Sequence, residues 1–556
     1  MITKTNNNPL EEGIIREGLI KLEALEFDKK FWSKDPTLWK KDPQHMDFIP
    51  KFLGWQKVYD WTLQHIDEVT SVAVQVKKEY KFCVVMGMGG SSLAPEVFRS
   101  IFGKKAGYPQ LFVLDTTHPD WIQAVRKQIS PADTVFIFAS KSGGTVEPSS
   151  QFAYFYEEVK KAGVKNPGQN FIAITDQGTG LQTLAQKYKF RHVFINPSDI
   201  GGRFSALSFF GIVPAAIMGI NVKKILENAQ AAAKTFGPET ADKNNLAVCL
   251  GAYMGACAVN HNKDKMTILA PQEIAAFGLW ADQLVAESTG KEGKGIVPVV
   301  GETLHRNFDY REDRFFVYLS TDTDDNKRVE EIASDLVQRG FPVLKLDMSD
   351  KYQLGSMFLL WEIATAAAGA ILGIDPFDQP NVQEAKTLTK QVLAKLAAGD
   401  VPAEVSAELL VCKDLKNEVE MDTLAQDFYS LLESNDYIAI LPYLWPCAET
   451  DAALQELRDK MLCRTKRAVL FGYGPRYLHS SGQLHKGDGN NGVFLILSAD
   501  PENDLKIPGQ NYTFGQLCNA QALGDFQALE NKGRRVIKLH LKQPVAKAIK
   551  KLSTLF

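Results

Sequence analysis

The sequence predicts an α/β protein built from two or three doubly wound parallel sheets. Three observations lead to this class: short apolar runs typical of buried strands, turns and longer periodic segments after most of them, and a late return of the same pattern. At roughly 100–200 residues per domain, the 556 residues predict about three compact units. Hydrophobic residues make up 45%, enough to fill several cores.

The first series of predicted strands follows a helical, aromatic-rich segment, 1–65. Each run is short and apolar, as expected for strands covered by helices on both faces of a sheet. We assign this series to a first domain, 66–235. The predicted strands are 82–86, 111–114, 134–138, 171–174 and 192–195.

Two further series follow, one in a second domain at 236–400 and one in a region at 401–556. The run 493–498 continues into Ala-Asp much as 315–320 continues into Thr-Asp. We predict a degenerate internal repeat, 265–350 against 437–541, although any two strand–helix–strand units look partly alike. The segment 398–435 carries no motif that assigns it a role. The predicted strands are 266–270, 315–320, 342–347, 437–441, 468–472, 493–498 and 536–541.

Composition argues against several classes of protein. The 63 basic and 66 acidic residues leave a net charge of −3, so neither nucleic acid nor a membrane surface is expected as a main partner. The polar start has no secretion signal, and the longest apolar patch, 363–374, is predicted to be a buried helix shorter than a membrane span of roughly 18 residues. Seven scattered cysteines indicate a reducing, cytoplasmic compartment and no structural metal site.

Two glycine- and hydroxyl-rich turns follow predicted strands. Gly87-Met-Gly-Gly-Ser-Ser-Leu93 suits an anion held by backbone N–H groups, although a ligand-free turn or a weak dinucleotide loop would fit as well. Ser140-Lys-Ser-Gly-Gly-Thr145 places three hydroxyls and a lysine at the carboxyl end of a strand, where open α/β sheets bind their ligands. The second motif predicts phosphate binding, with a helix-capping loop as the alternative.

Two later motifs carry charged groups. Gly201-Gly-Arg-Phe-Ser205 allows the Arg203 guanidinium to lie near an oxyanion, although a surface ion pair is the simpler explanation of that motif alone. In Gln283-Leu-Val-Ala-Glu-Ser-Thr-Gly-Lys291, Gln283 and Glu287 share one helix face. The negative end of the helix dipole makes Glu287 a better proton acceptor, which suits a general base, whereas a solvated glutamate is the alternative.

Together and in this order, the four motifs resemble those of the phosphoglucose isomerase family. A fifth segment, Phe377-Asp-Gln-Pro-Asn-Val-Gln-Glu-Ala-Lys386, is similar to the family pattern F-x-Q-x-x-V-E-x-x-K, with Gln383 where that pattern has Glu. The resemblance covers about 83–386 and implies two sugar-isomerase (SIS-type) α/β domains, a sugar-phosphate substrate, and no metal or organic cofactor.

The resemblance implies a role for each matching residue. Glu287 would move a proton between C1 and C2, Arg203 would stabilise the enediolate, and Lys386 would assist ring opening. Gln283 would orient the substrate. The residues that would hold the sugar and its phosphate are Gly90, Ser91, Ser140, Lys141, Ser142 and Thr145.

The ring-opening histidine is where the sequence departs most from the family. The family motif H-S-x-G-Q precedes the lysine segment, whereas here His479-Ser-Ser-Gly-Gln483 follows Lys386. His305 lies nearer to the family position but lacks the Gly-Gln. If the two histidines occupy similar places in the two repeats, the site is assembled from both. We favour His479 over His305, with a structural histidine as the alternative for either.

The late histidine also resembles the isomerase part of bifunctional transaldolase/glucose-6-phosphate isomerase proteins, so the chain is either stand-alone or part of a fusion. The resemblance implies interconversion of glucose 6-phosphate and fructose 6-phosphate. Alternatives are an isomerase of mannose 6-phosphate or an amino-sugar phosphate, or a non-catalytic sugar-phosphate sensor. Monomer and homodimer both remain open.

Overall fold

The computed structural model describes residues 2–4, 9–240, 244–323, 325–397 and 418–556. It contains three separate β-sheets, each flanked by helices, and the predicted α/β class with parallel sheets is confirmed. We call the parts of the chain that carry them the first, second and third units. The predicted division at residues 65, 235 and 400 stays a prediction.

The first unit contains a five-stranded, fully parallel sheet in the order β3-β2-β4-β5-β6. Its strands are buried along nearly their whole length because helices cover both faces, which explains their continuous apolar runs. The strands are β2 (Phe82–Met86), β3 (Gln110–Leu114), β4 (Thr134–Ala139), β5 (Phe171–Asp176) and β6 (His192–Asn196).

The second unit contains the order β8-β7-β9-β10, parallel throughout, with β1 added antiparallel at the β10 edge. The sequence does not predict β1 (Thr3–Lys4), because two residues carry no periodic pattern. The other strands are β7 (Lys265–Leu269), β8 (Val297–Val299), β9 (Arg314–Ser320) and β10 (Val343–Asp347).

The third unit repeats this order in parallel as β12-β11-β13-β14. In both units the second strand along the chain lies at one edge beside the first, and the third and fourth follow on the other side. The first sheet follows the same order over β3-β2-β4-β5, so the topology agrees with the predicted internal repeat but is not specific to these two units. The strands are β11 (Tyr437–Tyr443), β12 (Val469–Phe471), β13 (Gly492–Ala499) and β14 (Arg535–Leu541).

Helices fill the layers between and around the sheets. Before β2 they are Pro9–Ala24, Phe27–Trp32, Pro43–Phe48, Val58–Gln64 and Ile66–Glu79. Around the first sheet they are Leu93–Phe102, Pro119–Gln128, Val146–Lys161, Gly180–Lys187, Phe209–Ile217 and Val222–Phe236. Around the second they are Leu246–Asn260, Phe277–Thr289, Asn326–Gln338, Leu354–Leu372 and Val382–Ala397. Around the third they are Glu418–Ser430, Ala448–Thr465, Gly482–Gly487, Phe514–Asn531 and Val545–Ser553.

One hydrophobic core joins the N-terminal helices to the first and second units. Its central helix, Leu354–Leu372, is buried at every position. Within the described residues, the stretch Lys351–Leu372 is long and apolar enough to cross a bilayer, and its apolar 18-residue window lies wholly inside the protein. The expectation that no apolar run reaches this length is therefore wrong, although the predicted burial of 363–374 is confirmed.

Candidate active site

The crevice at the carboxyl edge of the first sheet is flanked by both glycine-rich turns. Strand β2 lies between β3 and β4, so the connections that leave β2 and β3 run to opposite sides. The turn after β2 and the turn after β4 therefore face each other across a topological switch point, where open α/β sheets bind their ligands.

Hydroxyls order the turn after β4. The Ser140 and Thr145 hydroxyl oxygens lie 3.0 Å apart, and the Gly143 N–H donates to Ser140 Oγ at 3.1 Å. The helix Val146–Lys161 begins directly after Thr145, so its free N–H groups and positive dipole end point toward this turn. Ser142 and Thr145 line a cavity of about 490 Å³. The turn can thus hold a phosphate at the cavity wall.

The side chain of Lys141 is not among those that line this cavity. Its Nζ donates to the carbonyls of Ser198 (2.9 Å) and Ile200 (2.5 Å) and lies 3.7 Å from Asp176 Oδ2. Burial lowers the pKa of Lys141, and Asp176 partly opposes that change. In this conformation Lys141 fixes the loop that leads to Arg203.

Close packing explains the glycines of the turn after β2. Gly89 has φ +53°, and a Cβ there would lie 2.6 Å from the His479 carbonyl oxygen and 2.8 Å from Gln283 Nε2. A Cβ on Gly90 would lie 1.9 Å from the Gly202 carbonyl oxygen. Ser91 is buried in the same turn. The turn after β2 therefore packs directly against the motifs that carry Arg203 and His479.

Glu287 lies near the carboxyl end of the helix Phe277–Thr289, as its sequence predicts. Gln283 Nε2 donates to Glu287 Oε2 at 3.0 Å, and Arg203 Nη1 lies 3.3 Å from Glu287 Oε1. All three side chains are buried. The carboxylate is thus oriented by an amide and a guanidinium, as a proton acceptor requires.

The Arg203 guanidinium donates hydrogen bonds to four acceptors. Nε donates to Ser288 Oγ at 2.7 Å, and Nη1 to Gln379 Oε1 at 2.9 Å. Nη2 donates to the carbonyls of Pro376 (2.6 Å) and Asp378 (2.9 Å). The motif around 377–386 therefore meets the motif around Arg203, and their contact fixes a positive charge beside Glu287.

His479 belongs to the third unit and contacts both Gln283 and Glu147. Its backbone oxygen accepts from Gln283 Nε2 at 2.8 Å, so one amide contacts both Glu287 and the histidine loop. Its Nε2 lies 3.0 Å from Glu147 Oε1, on the first helix turn after Thr145. Burial alone would raise the pKa of Glu147, but the charge and hydrogen bond of His479 lower it overall. The contact therefore favours a charged Glu147 and fixes the orientation of the His479 ring.

Lys386 and His479 both line the 490 Å³ cavity, together with Ser142 and Thr145. Glu287 and Arg203 lie beside the cavity and connect to it through Gln283 and the His479 backbone. His305 instead stacks on Phe308, with ring centroids 5.4 Å apart, and is not among the residues that line the cavity.

Two residues beside His479 were not predicted from the sequence: Glu147, which contacts His479, and Gln521, which contacts Glu147. Glu147 follows the phosphate-loop motif by two positions, but a glutamate in a first helix turn is also expected from the helix dipole alone. Gln521, on the helix Phe514–Asn531, donates to Glu147 Oε1 at 2.7 Å and accepts from Thr117 Oγ1 at 2.6 Å. Nothing in its local sequence distinguishes it from other helix residues.

Comparison with known proteins adds an independent finding. A family model described as phosphoglucose isomerase matches residues 55–298. Glucose-6-phosphate isomerase of Campylobacter jejuni is 27% identical over 383 residues, which is 61% of this chain and 92% of the relative. The probable glucose-6-phosphate isomerase of Methanococcus maripaludis is 28% identical over 356 residues, 57% of this chain and 80% of the relative.

Solved structures share the fold at low identity. A glucose-6-phosphate isomerase from Chlamydia trachomatis aligns with a TM-score of 0.58 and 18% identity, covering 73% of this chain and 90% of that one. A hypothetical protein from Thermus thermophilus aligns with a TM-score of 0.60 and 21% identity, covering 71% of this chain and all of that one.

Proposed function

Because residues 55–298 belong to the phosphoglucose isomerase family, we propose that this protein is a glucose-6-phosphate isomerase. It is an aldose–ketose isomerase, and it interconverts glucose 6-phosphate and fructose 6-phosphate through an enediolate. This reaction places it in glycolysis and gluconeogenesis.

One observation carries the assignment of the site. A continuous series of contacts runs from the phosphate turn through Glu147 and His479 to Gln283 and Glu287. The phosphate-binding turn and the histidine therefore lie on the wall of one cavity, and hydrogen bonds connect them to a buried carboxylate, although the three come from three different units.

Substrate binding begins at the phosphate in this proposal. The hydroxyls of Ser140, Ser142 and Thr145 and the free N–H groups of the following helix hold the phosphate oxygens. Gly90 and Ser91 support the sugar. Anchoring the phosphate fixes the reacting carbons at the far end of the sugar, which lowers the entropy that the transition state must lose.

Catalysis then proceeds in two stages. His479 transfers a proton between the ring oxygen and the C1 hydroxyl with help from Lys386, and this opens the ring. Gln283 orients the open chain. Glu287 removes the C2 proton, and the electron pair forms the enediolate. A proton moves from O2 to O1, and the same carboxyl returns its proton to C1 as the C2 carbonyl forms. Arg203 stabilises the negative oxygen, a charge that develops only along the reaction.

The substitution E287Q tests the proposal most directly. It keeps the shape of the side chain and its position beside Arg203 and Gln283, but the amide cannot accept a proton. We expect turnover of fructose 6-phosphate to fall about 10²–10⁴-fold, measured by coupling glucose 6-phosphate formation to NADP⁺ reduction. Retention of activity within about tenfold would exclude Glu287 as the base.

The matched control is E292Q. Glu292 lies five residues further on, and its half-exposed carboxylate pairs with Lys40 at 2.5 Å. We expect E292Q to keep the parent rate. If the parent chain binds sugar phosphate without converting it, the sensor alternative holds. Faster conversion of mannose 6-phosphate or an amino-sugar phosphate favours the related isomerases.

One chain supplies both Glu287 and His479, so the proposed reaction needs no second subunit, and monomer and homodimer are both compatible with it. We place the protein in the cytoplasm, where free thiols persist. None of the six cysteines within the described residues forms a disulfide.

A further inference from the structure

The loop that holds Arg203 also carries two carboxylates that meet an imidazole. Asp375 and Asp378 belong to the loop 375–379, and His45 comes from the short helix Pro43–Phe48 near the N-terminus. One potential ligand atom from each residue lies within 4.8 Å of the other two. This cluster plays no part in the reaction proposed above.

Asp375 is the unusual member of the cluster. It is fully buried, and its Oδ1 accepts the Phe377 N–H at 2.8 Å. Its Oδ2 is also buried but has no hydrogen-bond donor. A buried polar atom without a partner costs about 1–3 kcal/mol, and more when it is charged. Either a proton or a cation must therefore satisfy this oxygen.

His45 is oriented as a metal ligand. Its Nδ1 lies 2.8 and 2.7 Å from the two Asp42 carboxylate oxygens, which fixes the ring and leaves Nε2 toward the cluster. Nε2 lies 3.8 Å from Asp378 Oδ2. A carboxylate on one ring nitrogen and a metal on the other is a recurrent arrangement in metalloproteins.

The local charge balance also favours a cation. Asp42, Asp375 and Asp378 bring three carboxylates to the cluster. The ammonium of Lys291 bonds to Asp378 Oδ1 at 2.7 Å and leaves Oδ2 for a second partner. Arg203 is balanced by Glu287 at 3.3 Å.

We propose that His45, Asp375 and Asp378 bind a divalent transition metal, preferably Zn²⁺. One imidazole nitrogen and two carboxylate oxygens suit that ion, with water as a fourth ligand. Zn–N and Zn–O bonds of about 2.0–2.2 Å require ligand atoms roughly 3.3–3.6 Å apart, within reach of small rotations of the half-buried His45 and Asp378. The metal ties the N-terminal helices to the loop whose carbonyls hold Arg203.

The test is a calorimetric titration of the full-length, tag-free chain with Zn²⁺ after removal of metals by EDTA. We expect one site per chain. H45Q and D375N should each weaken binding at least tenfold, and D42N about tenfold through loss of the outer carboxylate. H261Q is the matched control, because His261 has similar exposure and also pairs with a carboxylate, Glu17, at 3.0 Å, but lies outside the cluster. It should bind Zn²⁺ like the parent.

Two results would overturn the proposal. If H45Q and D375N bind as tightly as the parent, the metal is held elsewhere. If the parent binds no Zn²⁺ at micromolar concentration, the proposed metal site does not exist. If D375N then unfolds at a higher temperature than the parent, a proton satisfies Asp375 instead. H45Q changes a half-buried side chain, so it remains informative even if D375N does not fold. None of these readouts depends on isomerase activity.

Discussion

The second and third units share one strand order but carry different parts of the site. In the second unit, the helix after the first strand bears Gln283 and Glu287, whereas the corresponding helix Ala448–Thr465 contributes no residue to the cavity wall. After the second strand the situation is reversed. There the third unit supplies His479 to the cavity, while His305 stacks on Phe308. Similar folds thus provide complementary chemistry.

The switch points of the two units also differ from that of the first. In the second unit, the Gln272 N–H donates to Asp325 Oδ2 at 2.6 Å. In the third, the N–H groups of Glu502 and Asn503 donate to Asp120 at 2.9 and 3.1 Å. Carboxylates already occupy amides that could otherwise face an anion. This difference explains why the proposed phosphate site lies in the first unit alone, where hydroxyls and glycines fill the turns.

The largest effect is expected at the contact between the two units. Glu302, after β8, accepts from Arg314 at 2.6 and 3.1 Å and from the Val469 N–H of β12 at 3.0 Å. Both charged side chains are fully buried. E302Q leaves a buried guanidinium without its counter-ion, so we expect the free energy of unfolding in urea to fall by about 3–5 kcal/mol.

The control for that experiment is E331Q, which breaks the exposed pair between Arg306 and Glu331. Exposed pairs contribute about 0–1 kcal/mol, so E331Q should unfold close to the parent. Equal effects of E302Q and E331Q would show that the buried pair contributes no more to stability than an exposed one.

The next effect separates the two histidines. H479Q removes the proposed ring-opening group while the backbone carbonyl that binds Gln283 remains. We expect kcat with fructose 6-phosphate to fall about a hundredfold, the lower range for loss of general acid–base catalysis. H305Q should stay within about twofold of the parent, because the half-buried His305 stacks on Phe308 and is not on the cavity wall. The reverse order of effects would move the ring-opening role to His305.

The smallest effect is expected at Gln521. Q521M removes the amide that donates to Glu147 and leaves the rest of the cavity wall in place. We expect about a tenfold fall in kcat, comparable to the loss of one outer hydrogen-bond partner in other sites. Because a hydrogen bond to a carboxylate lowers its pKa, its loss should move the acid limb of the pH–rate profile to higher pH.

Q455M is the control for Gln521, since Gln455 also bonds across units, to Thr303 Oγ1 at 2.8 Å, but far from the cavity. Its profile should match that of the parent. An unchanged acid limb in Q521M would mean that Gln521 only fills space.

The sequence predicts most of the fold because buried parallel strands are apolar along their whole length. The runs at 82–86 and 134–138 coincide with β2 and β4 to within one residue. Local motifs in the sequence also identify Glu287, Gln283 and Arg203 as candidate site residues. It does not predict that Lys141 turns toward Ser198 and Ile200, because a side-chain direction depends on neighbours distant in the chain.

Long-range partners limit the prediction of the site in the same way. Glu147 meets a histidine 332 positions away, and it meets Gln521 at a separation of 374. Neither spacing has a periodic or motif signal, so only the packing of the third unit against the first reveals these contacts.

These long separations have a consequence for biosynthesis. The phosphate turn and Glu287 leave the ribosome well before His479 and Gln521. At roughly 5–20 residues per second, the 192 positions from Glu287 to His479 take about 10–40 s to make. During that interval the nascent chain lacks the group proposed to open the sugar ring. Catalytic competence is therefore among the last properties this polypeptide acquires.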